Sequence, residues 1–265
     1  MGLHTDIPNA EYHASGGYSS SFVKTWINKS PAHAKYSKFK LSQSVADIGN
    51  AVHAMLLEPE KDMVISGPSD RRGNAWKEAY KDAEQNGNIL LTSGDYYQVV
   101  AMADSVMSNP HAAKLLEDAN RVCEASILAK DPETGIVLKC RPDLLLEKQN
   151  EIWDVKTCQS ADPRAFKKTI FDLGYDVSGA FYRKVCRMHG MDIKSFGFIC
   201  VEKANPYATA LYMLDEEVMD RAEARINKAI PALYRSEVTQ DYPTGWEPIE
   251  MVGLPAWMKR DAAVT

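Results

Sequence analysis

"RPDLLLEKQNEIWDVKT", residues 141–157, decides the fold. It carries one aspartate directly after a proline and a second two residues before a lysine, inside runs that otherwise read as buried strand. A carboxylate taken out of water is costly unless something neutralises it. The runs "LLLE" and "EIWDVKT" lie on either side of the short connection "KQN", the layout of a hairpin. Side chains alternate along a strand, so Asp154 and Lys156 share one face while Val155 takes the other. Asp143 follows Pro142, which removes a ladder hydrogen bond and favours an edge or a break. Antiparallel pairing across the connection would bring Asp143 beside Asp154.

Working upstream, "VCEASILAK" and "IVLKCRPDLLLE" read as two strands joined by the turn "DPETG", which with "EIWDVKT" makes a three-stranded meander. Glu124 on the first strand could supply a third carboxylate. Two carboxylates about 4 Å apart repel by roughly 4 kcal/mol at an effective dielectric near 20. Such a cluster stays ionised only with a cation, and oxygen ligands select a hard ion such as Mg²⁺ or Mn²⁺. A lysine beside the ion can orient or help deprotonate an attacking water, or stabilise developing phosphoryl charge.

The remaining segments surround this sheet. "SSSFVKTWINKSPAHAKYSKF" reads as two short helices, with Ser20 capping the first and Ser30-Pro31 starting the second. "ADIGNAVHAMLLEPE" is a helix whose Ile48, Ala51, Val52, Met55 and Leu56 form one apolar stripe. His53 lies just off that stripe and, taken alone, is a boundary histidine. Helices are expected from Asn74 to about Gln85 and from about Ser93, as cap, to Met107. Further helices begin at Asp162-Pro163 and in "DVSGAFYRKVCRMHG", and a long one runs from Asp215 to about Tyr234. A strand pair spans "ANPY". The chain is thus read as one α/β domain over 1–265. Residues 1–120 form a mainly helical elaboration, 121–240 a mixed central sheet flanked by helices, and 241–265 an extended tail.

Composition sets the outer limits. With 265 residues, 45% of them apolar and 25% charged, the chain can bury a sizeable core. The absence of a long apolar run and of a signal-peptide layout leads to the expectation of a soluble, cytoplasmic protein with no membrane partner. Five scattered cysteines without a C-x-x-C pair argue against a disulfide framework or a zinc site. The net charge is −5, yet no acid stands between Tyr12 and Ala46 while Lys24, Lys29, Lys35, Lys38 and Lys40 do, leaving the remainder at −10. Such asymmetry hints at a polyanionic partner, with a solvated lysine face as the alternative.

Seven stretches occur in one order: "IPNAEYHASGGYS" (7–19), "IGNAVHAMLLEPE" (48–60), "RRGNAWKE" (71–78), "DPETGIVLKCRPD" (131–143), "DVKT" (154–157), "GYDVSGAFY" (174–182) and "LPAW" (254–257). Together they resemble the C-terminal exonuclease domain of the RecE (exonuclease VIII) family. That family belongs to the PD-(D/E)xK nuclease superfamily with its restriction-endonuclease-like core, and the likeness covers nearly the whole chain. The resemblance implies Asp143 and Asp154 as the principal Mg²⁺ ligands, with the Val155 backbone carbonyl nearby. It implies Lys156 as the catalytic lysine, His53 as a metal-associated histidine and Glu124 at the family's acidic position before the hairpin. The implied activity is Mg²⁺-dependent 5′→3′ hydrolysis of linear duplex DNA, Mn²⁺ substituting, that leaves 3′ strands for a RecT-type annealing protein. A closed homo-oligomeric ring, four subunits favoured over three, is the implied assembly. DNA contacts are expected from Arg71 and Arg72 before a helix start, from Tyr182 and Arg183, and from Lys24, Lys29 and Lys35. One departure stands out: Ser178 occupies the place of a family glutamine four residues before Tyr182. It motivates a competing reading as a catalytically weak DNA-binding recombination accessory protein. A third reading is a related nuclease of different polarity or substrate.

Overall fold

The β-prone runs after residue 121 form the centre of the molecule in a computed structural model that describes residues 2–5, 7–37, 43–246, 249, 251–254 and 258. The chain begins with β1 (Gly2–His4), α1 (Asn9–Ala14) and β2 (Tyr18–Ser19). There follow α2 (Ser20–Asn28), α3 (Pro31–Tyr36), α4 (Gln43–Leu57), β3 (Val64–Ser66), α5 (Asn74–Asn86), β4 (Ile89–Leu91), α6 (Ser93–Ser108) and α7 (Pro110–Leu116). The second half comprises β5 (Val122–Cys123), β6 (Ser126–Lys130), β7 (Val137–Cys140), β8 (Leu144–Leu146) and β9 (Glu151–Cys158). It closes with α8 (Pro163–Asp172), α9 (Tyr175–Met188), β10 (Ser195–Glu202), β11 (Thr209–Met213) and α10 (Glu216–Thr239).

A five-stranded mixed sheet, in the order β11-β10-β9-β8-β5, carries the D-x-K strand at its centre. Strands β9 and β10 are parallel and the other pairs antiparallel. A second sheet has the order β1-β6-β7-β2, and β3 pairs with β4.

This division corrects the expected meander. The three runs pair in the expected sequence, but the first two each break and cross from one sheet to the other. Pro142 has no N–H to give the ladder, and Glu124 adopts a left-handed φ of 52°, which interrupts its strand. The two breaks lie side by side. Register runs through them from Ile127↔Cys140 to Cys123↔Leu144, and the Glu124 N–H donates to the Asp143 carbonyl at 3.2 Å.

Alternation along β9 then assigns its faces. Ile152 packs with Phe166, Phe181, Phe196 and Phe198 under α8 and α9. Trp153 and Val155 pack on the other face with Val52, Val99 and Met102 of α4 and α6. Helix α9 approaches β10 closely because residue 179 is glycine; a Cβ there would fall 2.9 Å from the Phe196 ring. Two expected caps lie one residue too late, because a cap must precede the first helical residue. Ser19, not Ser20, accepts from the Phe22 N–H, and Thr92, not Ser93, from that of Asp95. Ser30 and Asp162 cap as expected, and α10 runs on to Thr239. No helix among the described residues is long and apolar enough to cross a membrane.

Candidate metal centre

Pairing of Leu144 with Trp153 places Asp143 and Asp154 next in register, on the same face of adjoining strands. Both are buried, at 8% and 5% exposure. The Asp143 Oδ2 accepts the Val155 N–H at 2.7 Å, so the break after β7 is bridged by a side chain where a ladder bond is missing. Burial and then the neighbouring Asp154 charge push the Asp143 carboxyl well above the usual range. Burial opposes ionisation of Asp154 too. There Lys156, in direct ion contact, outweighs it and holds the carboxyl below its ordinary value. Lys156 responds in kind: burial would lower its pKa, but Asp154 and Asp143 raise it.

His53 reaches this hairpin from α4. Its Nε2 lies 2.9 Å from the Val155 carbonyl oxygen and its Nδ1 3.6 Å from Asp143 Oδ2. Burial, reinforced by Lys156, depresses the imidazole to about 4, so it is neutral at pH 7 although 28% of the side chain still meets solvent. The hydrogen bond assigns the proton to Nε2 and leaves the Nδ1 lone pair on the carboxylate side. The Val155 carbonyl, expected as a direct ligand, therefore has one lone pair occupied by His53; its second remains.

Glu124 completes the group from the neighbouring break rather than from a strand. His53, Glu124 and Asp143 each bring a ligand atom within 4.8 Å of one another. Burial pushes the Glu124 carboxyl up to about 7; Glu58 and Asp154 add to this and Arg141 opposes it. The donor set is carboxylate oxygen with one neutral imidazole, which suits a divalent ion such as Mg²⁺ or Mn²⁺. Beside the group opens a cleft of about 700 Å³, lined among others by Asn50, His53, Lys156, Tyr175 and Lys203.

The expected DNA contacts divide sharply. Arg71 is a clamp, not a free phosphate ligand: it bridges Asp47 at 2.8 Å and Asp95 at 3.1 Å and lies over the Trp76 ring. Arg72 stays at the surface with its side chain 90% exposed, beside Asp70. Arg183 is fully buried and bonded to Glu216, Asp220 and Glu223 of α10, since its face of α9 packs against that acidic row. Tyr182 is half-buried, edge-on to Phe196 against the core and beside Asp154 and Asp143. Lys35 is paired with Glu237 at 3.0 Å, and Lys29 is exposed at the end of α2. Lys24 sits near Tyr175, while Lys38 and Lys40 lie outside the described residues. The Ser178 hydroxyl turns back onto the Gly174 carbonyl at 3.4 Å.

Two features escaped the sequence. The Tyr175 ring lies close to both Lys24 and Lys156, and a latch of Lys139 and Arg141 holds the N-terminal segment. Lys139 donates to the Tyr12 and Ser15 carbonyls at 2.8 and 2.6 Å, and Arg141 to that of Ile7 at 2.7 Å. Both cations lie over the Tyr12 ring. Partners more than a hundred residues apart leave no local spacing to read.

A bent hairpin with an aspartate at its break and a D-x-K on the next, central strand defines a PD-(D/E)xK-type α/β fold. The chain belongs to the family described as a PDDEXK-like domain of unknown function (DUF3799), whose profile matches residues 19–254. In fold it is similar to a candidate exonuclease from Eubacterium rectale, at 12% identity over 98% of this chain and 99% of that one, with a TM-score of 0.61. A phage-related exonuclease from Haemophilus somnus 129PT gives 10% identity over 87% of this chain and 99% of that one, with a TM-score of 0.36. The curated proteins give no match.

Proposed function

We propose that this chain is a divalent-metal-dependent exodeoxyribonuclease that degrades linear duplex DNA from the 5′ end. The observation that carries the metal-dependent part is the juxtaposition of His53, Glu124 and Asp143 with the Asp154–Lys156 pair, beside a cleft that His53 and Lys156 line. Asp143, Asp154, Glu124 and His53 would hold Mg²⁺, which when bound supplies an activated water and neutralises phosphoryl charge. Lys156 presents an ammonium to the phosphate, oriented by its contact with Asp154. The hydrogen bond from Val155 N–H fixes the Asp143 carboxylate in place.

Polarity, the 3′ single-stranded product, a RecT-type annealing partner and a closed homo-oligomeric ring come from the family resemblance of the ordered motifs. The Eubacterium rectale protein, similar in fold, is itself described as a candidate exonuclease. Ser178, whose hydroxyl is spent on its own helix, is the observation that favours the accessory-protein reading.

Linear duplex with labelled 5′ ends, incubated with Mg²⁺, separates these readings. Release of labelled mononucleotides, abolished by chelation and lowered at least about 10²-fold by Lys156→Ala, is the expected result. No release, or equal release by the variant, contradicts the enzyme reading. Covalently closed circles should remain whole; their cleavage would replace the exonuclease by an endonuclease.

A further inference from the structure

We propose that Lys24 binds a phosphate of the DNA strand at the candidate metal centre and positions that strand beside Lys156. The proposal rests on the nuclease reading and gives one N-terminal lysine a place at the reacting strand rather than along a general channel.

Three observations carry it. The Lys24 and Lys156 ammonium groups share one aromatic ring, lying 5.5 and 5.4 Å from the Tyr175 centroid. Tyr175 and Lys156 line the cleft and Lys24 adjoins it at that ring, so an anion held beside the ring is within reach of both cations. Next, each nearby acid already has another cation beside it. Asp154 is in contact with Lys156, and Asp176 lies 3.5 Å from Arg225, which also donates to Asn28 at 2.5 Å. Among the described residues no ion pair or hydrogen bond engages the Lys24 ammonium. A cation without a hydrogen-bonded or ion-paired partner, close to a second cation that lines a cleft, raises the local affinity for an anion.

The third observation shows that the side chain is seated, not loose. Its stem crosses Gly174, where φ is +65° and an added Cβ would fall 2.8 and 2.9 Å from Lys24 Cγ and Cδ. The turn between α8 and α9 therefore needs glycine both for its left-handed backbone and to let the lysine pass. Burial, with Lys156 repulsion, lowers the Lys24 pKa, a cost that an incoming phosphate would relieve. Lys29 and Lys35 lack this arrangement: one is a surface residue and the other is taken by Glu237.

The test compares Lys24→Met, which keeps the stem and removes the charge, with Lys24→Arg, which restores a charge. Lys81→Met on the exposed face of α5 serves as a control. Binding of 5′-phosphorylated linear duplex is measured with Ca²⁺ across a salt series, alongside melting without metal. With Lys24→Met the association constant should fall about tenfold and the slope of log K against log salt should lose about one. Lys24→Arg should recover most of both, Lys81→Met should match the parent, and the Lys24→Met melting temperature should equal or exceed the parent's. Parent-like affinity and slope in Lys24→Met overturn the proposal, as does an arginine variant no better than the methionine one. If the parent digests duplex while Lys24→Met binds normally, only Lys24 is wrong. A parent that neither binds nor digests DNA removes the nuclease reading as well.

Discussion

Replacing Glu124 by glutamine should stabilise the protein when no divalent ion is present. The carboxyl is pushed from its ordinary 4.5 up to about 7, chiefly by burial. Holding it ionised in the folded state at pH 8 therefore costs about 3 kcal/mol relative to the unfolded chain. Glutamine keeps the shape of the neutral acid and removes that penalty, though its two new N–H groups need partners, so a net gain of about 2 kcal/mol is expected. The sign fixes the pH window. A carboxyl whose folded pKa is raised carries its full penalty above about 7 and loses it as pH falls toward the unfolded value. The advantage of Glu124→Gln should be largest at pH 8 and nearly gone at pH 5. For a chain of this size, 2 kcal/mol corresponds to about 4–8 °C. Calorimetry in EDTA at pH 8, 6.5 and 5 measures it. Added Mg²⁺ should reverse the order at pH 8, because an ion that binds only the native state stabilises the parent more. Equal melting of parent and variant in EDTA at pH 8, or a gap that does not change with pH, would refute the claim that this carboxylate is waiting for a cation.

Other substitutions test other contacts. Asp154→Asn should cost about 3 kcal/mol in urea unfolding without metal, because it leaves the Lys156 ammonium in the site without its partner. Asp143→Asn should abolish the rise in melting temperature that Mg²⁺ gives the parent. Arg183→Met should cost about 3 kcal/mol by loosening α9 from α10, with DNA affinity unchanged. A loss of affinity in a fully folded Arg183→Met would return that arginine to the DNA interface. Arg72→Ala should lower the salt slope of DNA binding by about one while Arg71→Met leaves it alone, read from the same titrations.

The sequence disclosed those parts of the site whose geometry is local. Asp154 and Lys156 had to share a face because strands alternate, and the three residues of "KQN" left Asp143 few places other than opposite Asp154. Helix α4 was legible from its stripe, but whether His53 was a boundary residue or a ligand depended on which sheet the helix met. The resemblance supplied that, not the period. The expected DNA contacts that the structure engages elsewhere are charged or amphipathic groups whose partners are distant in the chain. Arg183 sits three residues after Ala180 on an apolar helix face, and nothing nearby announces that Glu216, Asp220 and Glu223 will cover it. Arg71 precedes a helix start, as a phosphate ligand would, yet Asp47 and Asp95 come to it from 24 residues away on either side.

The interruption of the strands is what makes the centre. An unbroken ladder from β5–β6 to β7–β8 would leave residues 124 and 143 to follow the alternation of a single sheet. Glu124 escapes it by taking a left-handed φ, and Pro142 prevents the facing strand from continuing past it. Left-handed backbone at a glutamate is unfavourable by about 1–2 kcal/mol. Loss of a ladder bond beside a buried aspartate adds to this unless a side chain replaces it, which the Asp143–Val155 bond does. Selection for stability alone would favour glycine or asparagine at 124 and an apolar residue at 143. A sequence that instead places two carboxylates at adjoining breaks, with a third and a lysine on the next strand, sustains that arrangement against the backbone's preference. A bound cation would turn the same crowding of negative charge into net attraction.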